Sequence, residues 1–145
     1  MAKFIWAGLA VLTMVGLFIS SSIPGDESGA ASLSIALWVQ RIIPLSDDAL
    51  NFLVRKTAHF VAYFTLGFFV AQAAKYYGKN KKITFAVAWG IASLYGVLDE
   101  IHQYFVPGRV CALSDMIINA IGAFAGVGVV YILTQIIKRK KEKAG

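Results

Sequence analysis

Cysteine occurs once, as Cys111, so no disulfide can form within the chain. Charge is scarce: only 15% of residues are charged, and none lies between Lys3 and Asp26. Proline appears only at positions 24, 44 and 107, so long stretches run without a break. No internal repeat or low-complexity segment is present, and no nucleotide-binding motif, which leaves an energised pump without an energy source. A soluble domain of 145 residues needs far more polar surface than a chain that is 58% hydrophobic supplies.

What is present is apolar sequence in long blocks. Near residues 4–21, 53–77, 83–105 and 113–137 the runs reach the ~20 residues that cross a bilayer as a helix. Continuous apolar runs are not the alternating pattern of barrel strands. The expected fold is an all-α membrane protein, a single domain over residues 1–145 with four transmembrane helices. The first run could be a signal peptide ending at Ser20-Ser21-Ser22, but it is longer than a signal core and reads as a retained helix. It carries no charge and is assigned packing and anchoring only.

The formal charge is +6, and its distribution fixes an expected orientation. Every basic residue except Arg41, Arg55, Lys56 and Arg109 lies at Lys3, in the 75–82 turn or in the 138–143 tail. The positive-inside rule puts these clusters, and both termini, in the cytoplasm. Every acidic residue but Glu142 then falls on the outer side. The tail reads as a solvated topology anchor, not a nucleic-acid surface.

Residues 30–43 are apolar with Trp38, Gln40 and Arg41, but too short to span. They suggest an interfacial helix between the first and second spans, ended by Pro44. Ser46 then suits an N-cap, with Asp47 and Asp48 at the positive end of a helix entering the bilayer near Arg55. Ser114 reads as the N-cap of the last span, with Asp115 in its first turn. Gly122 and Gly126, and the small residues Ala86, Gly90, Ala92 and Gly96, offer faces for close helix packing.

Against this background Arg55, Lys56, His59, Asp99, Glu100, His102, Gln103, Arg109, Asp115 and Asn119 stand out. Ionisable groups at the apolar boundary are expensive and mark sites. Residues three or four apart share a helix face. Lys56, His59 and Tyr63 form one stripe, Asp99, His102 and Gln103 a second, and Asp115, Asn119 and Gly122 a third. All three lie near the expected outer ends of their helices and should face inward and meet.

The motifs are Lys56-x-x-His59-Phe60-x-x-Tyr63-x-x-x-Gly67, then Asp99-Glu100-x-His102-Gln103-x-Phe105-x-Pro107-Gly108-Arg109, then Asp115-x-x-x-Asn119-x-x-Gly122-x-x-x-Gly126. In this order and spacing they resemble the VanZ-like membrane proteins, over about residues 55–128. The family is named for an accessory glycopeptide-resistance protein that lowers susceptibility to teicoplanin. The resemblance implies a multi-pass protein of the bacterial cytoplasmic membrane with a polar site at one face. It does not bring a settled reaction.

The residues themselves admit several chemistries. Arg55, Lys56 and Arg109 could hold an anionic headgroup, and the planar fork of Arg109 suits phosphate or carboxylate. Arg109 could equally pair with Glu100 or Asp115. His59 and His102 could act as acid and base, oriented by Asp99 or Asp115, with Arg109 or Lys56 on developing charge. No nucleophile stands out. His59, Glu100, His102 and Asp115 are donors suited to zinc or manganese. Their spacing matches no metal motif, Asp99-Glu100-Ile101-His102 is not His-Glu-x-x-His, and the basic neighbours argue against a cation. Tyr63, Gln103 and Asn119 would orient the charged groups, since hydrogen bonds between membrane helices contribute only about 0.6 kcal/mol on average.

The expectation is thus a binder of an anionic amphiphile at the outer face, such as a lipid-linked cell-wall precursor or a glycopeptide antibiotic. Arg55, Lys56, Tyr63, Gln103, Arg109 and Asn119 would bind it. His59, Asp99, Glu100, His102 and Asp115 are the candidates for catalysis if the protein is instead an enzyme on a lipid phosphate or ester. A structural subunit is the third reading. No metal or cofactor is expected, a divalent ion being the lesser alternative, and the expected partners are membrane lipids, not nucleic acid.

Overall fold

The computed structural model describes residues 1–43 and 45–144, so Pro44 lies outside the described residues. It contains α1 (Ala2–Ser21), α2 (Gly25–Gln40), α3 (Asp47–Ala74), α4 (Lys81–Tyr104) and α5 (Leu113–Ala144). All but α2 are long and apolar enough to cross a membrane, which makes the protein multi-pass. The remaining helix, α2, falls between the first and second spans, as the sequence suggests.

Local chemistry sets several of the helix ends. The Ser46 hydroxyl accepts the Ala49 amide at 3.4 Å, and Asp47 and Asp48 occupy the first turn of α3. Asn80 caps α4 by accepting the Ile83 amide at 3.3 Å. Between them Lys81 Nζ donates to the Lys75 and Gly78 carbonyls at 2.8 and 3.1 Å, closing the end of α3 with a charged donor. One expectation is corrected at α5. Ser114 is not its cap: the helix already includes Leu113, and the Ala112 carbonyl accepts the amides of Asp115 and Met116. The basic tail is helical as well as solvated, since α5 continues to Ala144 with Lys138 facing Glu142 one turn on, at 3.6 Å. At 1.5 Å per residue this 32-residue helix is roughly 48 Å long, against roughly 30 Å of hydrocarbon, so its basic end clears the apolar layer.

The long helices alternate in direction. The start of α1 meets the end of α3, with the Trp6 ring 6.2 Å from that of Phe68, and Lys3 Nζ sits 5.3 Å from the Tyr77 ring. The end of α1 meets the end of α4 through Ser21 and Gln103. Both described termini and the α3–α4 turn therefore share one end of the bundle, the basic one. The α4–α5 turn and the polar residues share the other.

The tightest seam joins α3 and α5. A Cβ on Gly67 would strike the Ala123 backbone, and Cβ atoms on Gly122 and Gly126 would strike the carbonyls of Phe60 and Phe64. Backbone meets backbone here, as in other small-residue contacts between membrane helices. The core continues through Tyr63, Leu66, Ala92 and Ala123, then Ala71, Phe85, Ala88, Val127 and Val130. Outside it, large apolar side chains such as Leu12, Ile91, Leu94, Phe124 and Ile132 are exposed around the bundle and suit lipid. Pro107-Gly108 turns the chain after α4, with Gly108 at φ +71°, and the Pro107 carbonyl accepts the Gly25 amide at 2.9 Å. Gly25 and Gly108 touch so closely that a side chain on Gly25 has no room.

Candidate functional site: a polar cluster beside an amphiphilic cavity

The polar residues assemble at one end of the bundle in two adjoining groups. The first lies in the α3–α4–α5 seam. Lys56 pairs with Asp115, and its Nζ donates to Ser114 Oγ at 3.0 Å. His59 Nδ1 donates to Asn119 Oδ1 at 3.1 Å and lies 3.8 Å from Glu100 Oε1. Glu100 is fully buried, and its other carboxylate oxygen accepts the Ala112 amide at 3.2 Å. Gly96 makes room for this packing, since a Cβ there would press on Asn119 and Tyr63.

The second group lines a cavity of about 350 Å³ bounded by α1, α2, α3, α4 and Arg109. Leu17, Ile35, Val54, Ala58 and Ala62 give it an apolar wall. Arg55, His59, Tyr63, Asp99, Gln103 and Arg109 supply its polar part, together with serines from α1 and α2. Gln103 Nε2 donates to Asp99 Oδ2 and to Ser21 Oγ, both at 3.2 Å. Arg55 makes no ion pair among the described residues. Arg109 donates from Nε to the Ile23 carbonyl at 3.0 Å and from Nη2 to the Ser20 carbonyl at 3.1 Å. It pairs with neither Glu100 nor Asp115. Burial first, then the nearby positive charge of Arg55, pull the Arg109 guanidinium below its ordinary value, while Asp99 and Glu100 act the other way. Two guanidinium groups thus crowd one cavity, which favours an anion between them.

The stripe expected on α4 splits. Asp99 and Gln103 face the cavity, whereas Glu100, one residue on and about 100° around the helix, faces α5. His102 turns to neither. Its Nε2 donates to Ser22 Oγ at 3.1 Å and its ring stacks on Phe18 at 4.6 Å between centroids. His59 borders both groups, and Arg55 lines both the cavity and the cleft beside Lys56 and Asp115. The end of α1 does more than pack and anchor, because Ser20, Ser21, Ser22 and Ile23 all bond to site residues. Ser32 and Asn51 hold α2 to α3 with a 2.6 Å hydrogen bond, a contact that no motif in the sequence signals.

Buried polar atoms lacking a partner concentrate here. Glu100 Oε1 and Asn119 Nδ2 are buried without a hydrogen bond among the described residues, as are Ser93 Oγ in α4 and the facing pair Tyr63 Oη and Asp99 Oδ1. Leaving such an atom unpaired costs about 1–3 kcal/mol, so this end of the bundle holds bonding capacity that its own side chains do not use up.

The family model described as VanZ/LLP1 matches residues 6–134. The chain belongs to the VanZ/LLP1 family. The match begins within α1, well before the motif-bearing stretch from residue 55, so the helices that close the cavity belong to the family unit as fully as those carrying the charged stripes. No curated protein and no solved structure matches the chain.

Proposed function

We propose that this VanZ/LLP1 protein binds an anionic amphiphile in the cavity between α1, α2, α3 and α4. The observation that carries the reading is the cavity's division into an apolar wall and a polar end holding Arg55 and Arg109. A phosphate or carboxylate headgroup bridges the two guanidinium groups, and an alkyl or isoprenyl chain follows Leu17, Ile35 and Val54 toward lipid. Asp99, Tyr63 and Gln103 take the headgroup's polar substituents. A lipid-linked envelope precursor has this chemistry, and so does a lipoglycopeptide such as teicoplanin, whose capture would lower glycopeptide susceptibility. The orphaned buried atoms support a binding role over a purely structural one, because a cluster that only held helices would satisfy its own members.

The basic residues gathered at the opposite end of the bundle support, by the positive-inside rule, a site on the outer side of the bacterial cytoplasmic membrane. Cys111, partly exposed beside the site, reports on this: a membrane-impermeant maleimide should label it in intact cells, and labelling only after permeabilisation would reverse the orientation.

The binding test uses the full chain in nanodiscs and a polyisoprenyl monophosphate. Arg55→Ala and Arg109→Ala should each weaken binding about 10-fold or more, the loss expected for one charged hydrogen-bonding partner. Undiminished affinity in the folded double variant would refute the headgroup assignment. Release of inorganic phosphate from the same probe would instead support the enzymatic reading, with His59 as the histidine that lines the cavity.

A further inference from the structure

The seam cluster is separate from the guanidinium pair and has its own chemistry. His59, Glu100 and Asp115 each bring one donor atom to within 4.8 Å of the others, from three different helices. Glu100 is fully buried, and its unpartnered Oε1 is the atom that faces His59 Nδ1. Asn119 Oδ1 lies beside the same ring nitrogen and can supply a fourth donor, the third oxygen. We propose that these residues form a binding site for a divalent transition-metal ion, with His59, Glu100 and Asp115 as ligands.

The donor set of one imidazole nitrogen and several oxygens suits Zn²⁺ or Mn²⁺ rather than a soft thiolate-seeking ion. Donors bound to one ion at about 2.1 Å in a tetrahedron sit roughly 3.4 Å apart, so three donors already within 4.8 Å of one another need only a small closure to share an ion. Charge favours the same step. Two carboxyl groups share a single lysine at this place, Lys56, which pairs with Asp115 and leaves Glu100 with no lysine or arginine at bonding distance among the described residues. A divalent ion neutralises both carboxylates and releases Lys56 into the adjoining cleft lined by Asp48, Asn51 and Phe52, where its Nζ already lies 5.1 Å from the Phe52 ring. Lys56 is therefore a built-in competitor for the metal. The basic neighbours that argue against a cation in the sequence occupy one ligand instead of excluding the ion.

The competition makes the proposal testable without any amphiphile, so its failure is distinct from failure of the lipid-binding reading. Metal-stripped full-length protein in detergent is titrated with Mn²⁺, followed by loss of the free-ion electron paramagnetic resonance signal, and with Zn²⁺ by calorimetry. One ion per chain is expected, with Glu100→Gln and Asp115→Asn each weakening binding at least about 10-fold, no less than loss of a residue supporting a metal ligand costs. Lys56→Met should tighten binding, an effect that a structural lysine would not produce. His102→Gln should leave it unchanged. Absence of one-to-one binding in folded wild-type protein overturns the proposal. So does equal affinity in wild type, Glu100→Gln and Lys56→Met, which would place the ion at the surface.

Discussion

The α3–α5 seam and the α1–α2 flank are built on opposite principles, although both border the same polar end. In the seam, glycines bring backbones into contact and charged groups reach one another directly. On the flank, α1 meets α3 through aromatic rings and meets α4 through single hydrogen bonds such as Tyr95 Oη to the Met14 carbonyl at 2.5 Å. A cavity remains there. The difference teaches where a small membrane bundle can keep precision and where it can keep room. Fixed donor geometry sits in the glycine seam, and ligand-sized space sits beside the helix held by rings and isolated bonds.

The contrast can be broken most severely at the Lys56–Asp115 pair. Removing one partner of a mostly buried ion pair costs about 3–5 kcal/mol, so Asp115→Ala should sharply lower the unfolding midpoint in detergent, and Lys56→Ala on top should restore part of the loss. Next comes the seam itself. Gly126→Leu forces a side chain into the Phe64 backbone and should cost about 1–3 kcal/mol or more, read by the same thermal unfolding. Arg109→Ala should cost less, about 1.5 kcal/mol for its hydrogen bonds to the end of α1, visible as faster proteolysis between α1 and α2. The smallest effect belongs to α1, where an added methyl group on Gly8 or Gly16 would meet open space, so Gly16→Ala should change stability by no more than about 0.5 kcal/mol. If Gly16→Ala proved as damaging as Gly126→Leu, the two regions would not differ as described.

The seam was legible in the sequence because two strong signals coincide there. Charge at an apolar boundary is costly, and the helical period sorts Lys56, His59, Asp115 and Asn119 onto faces that must turn inward. Gly122 and Gly126 announce close packing in the same way. The flank was not legible for an equally physical reason. Its contribution comes from the carbonyls of Ser20 and Ile23 and from short hydroxyls, and every residue owns a carbonyl. Nothing in an uncharged apolar helix says which of its acceptors will be used. His102 shows the limit of spacing arguments. Its face relative to Asp99 and Gln103 is fixed by the helix, but whether the edge of that face meets the site or α1 depends on how α4 is rotated, which the neighbours decide.

The bond between Gly25 and Pro107, with the two from Arg109 to Ser20 and Ile23, gathers three hydrogen bonds within six residues of chain at the end of α1. They act as a pin. Along the rest of its length α1 leans on its neighbours through Trp6 against Phe68 and Phe69 and through Met14 and Leu17 against the Tyr63 core, so the helix is latched by hydrogen bonds at one end and mainly packed elsewhere. The cavity is thus fixed by hydrogen bonds at its Arg109 end and bounded only by side-chain packing at Leu17.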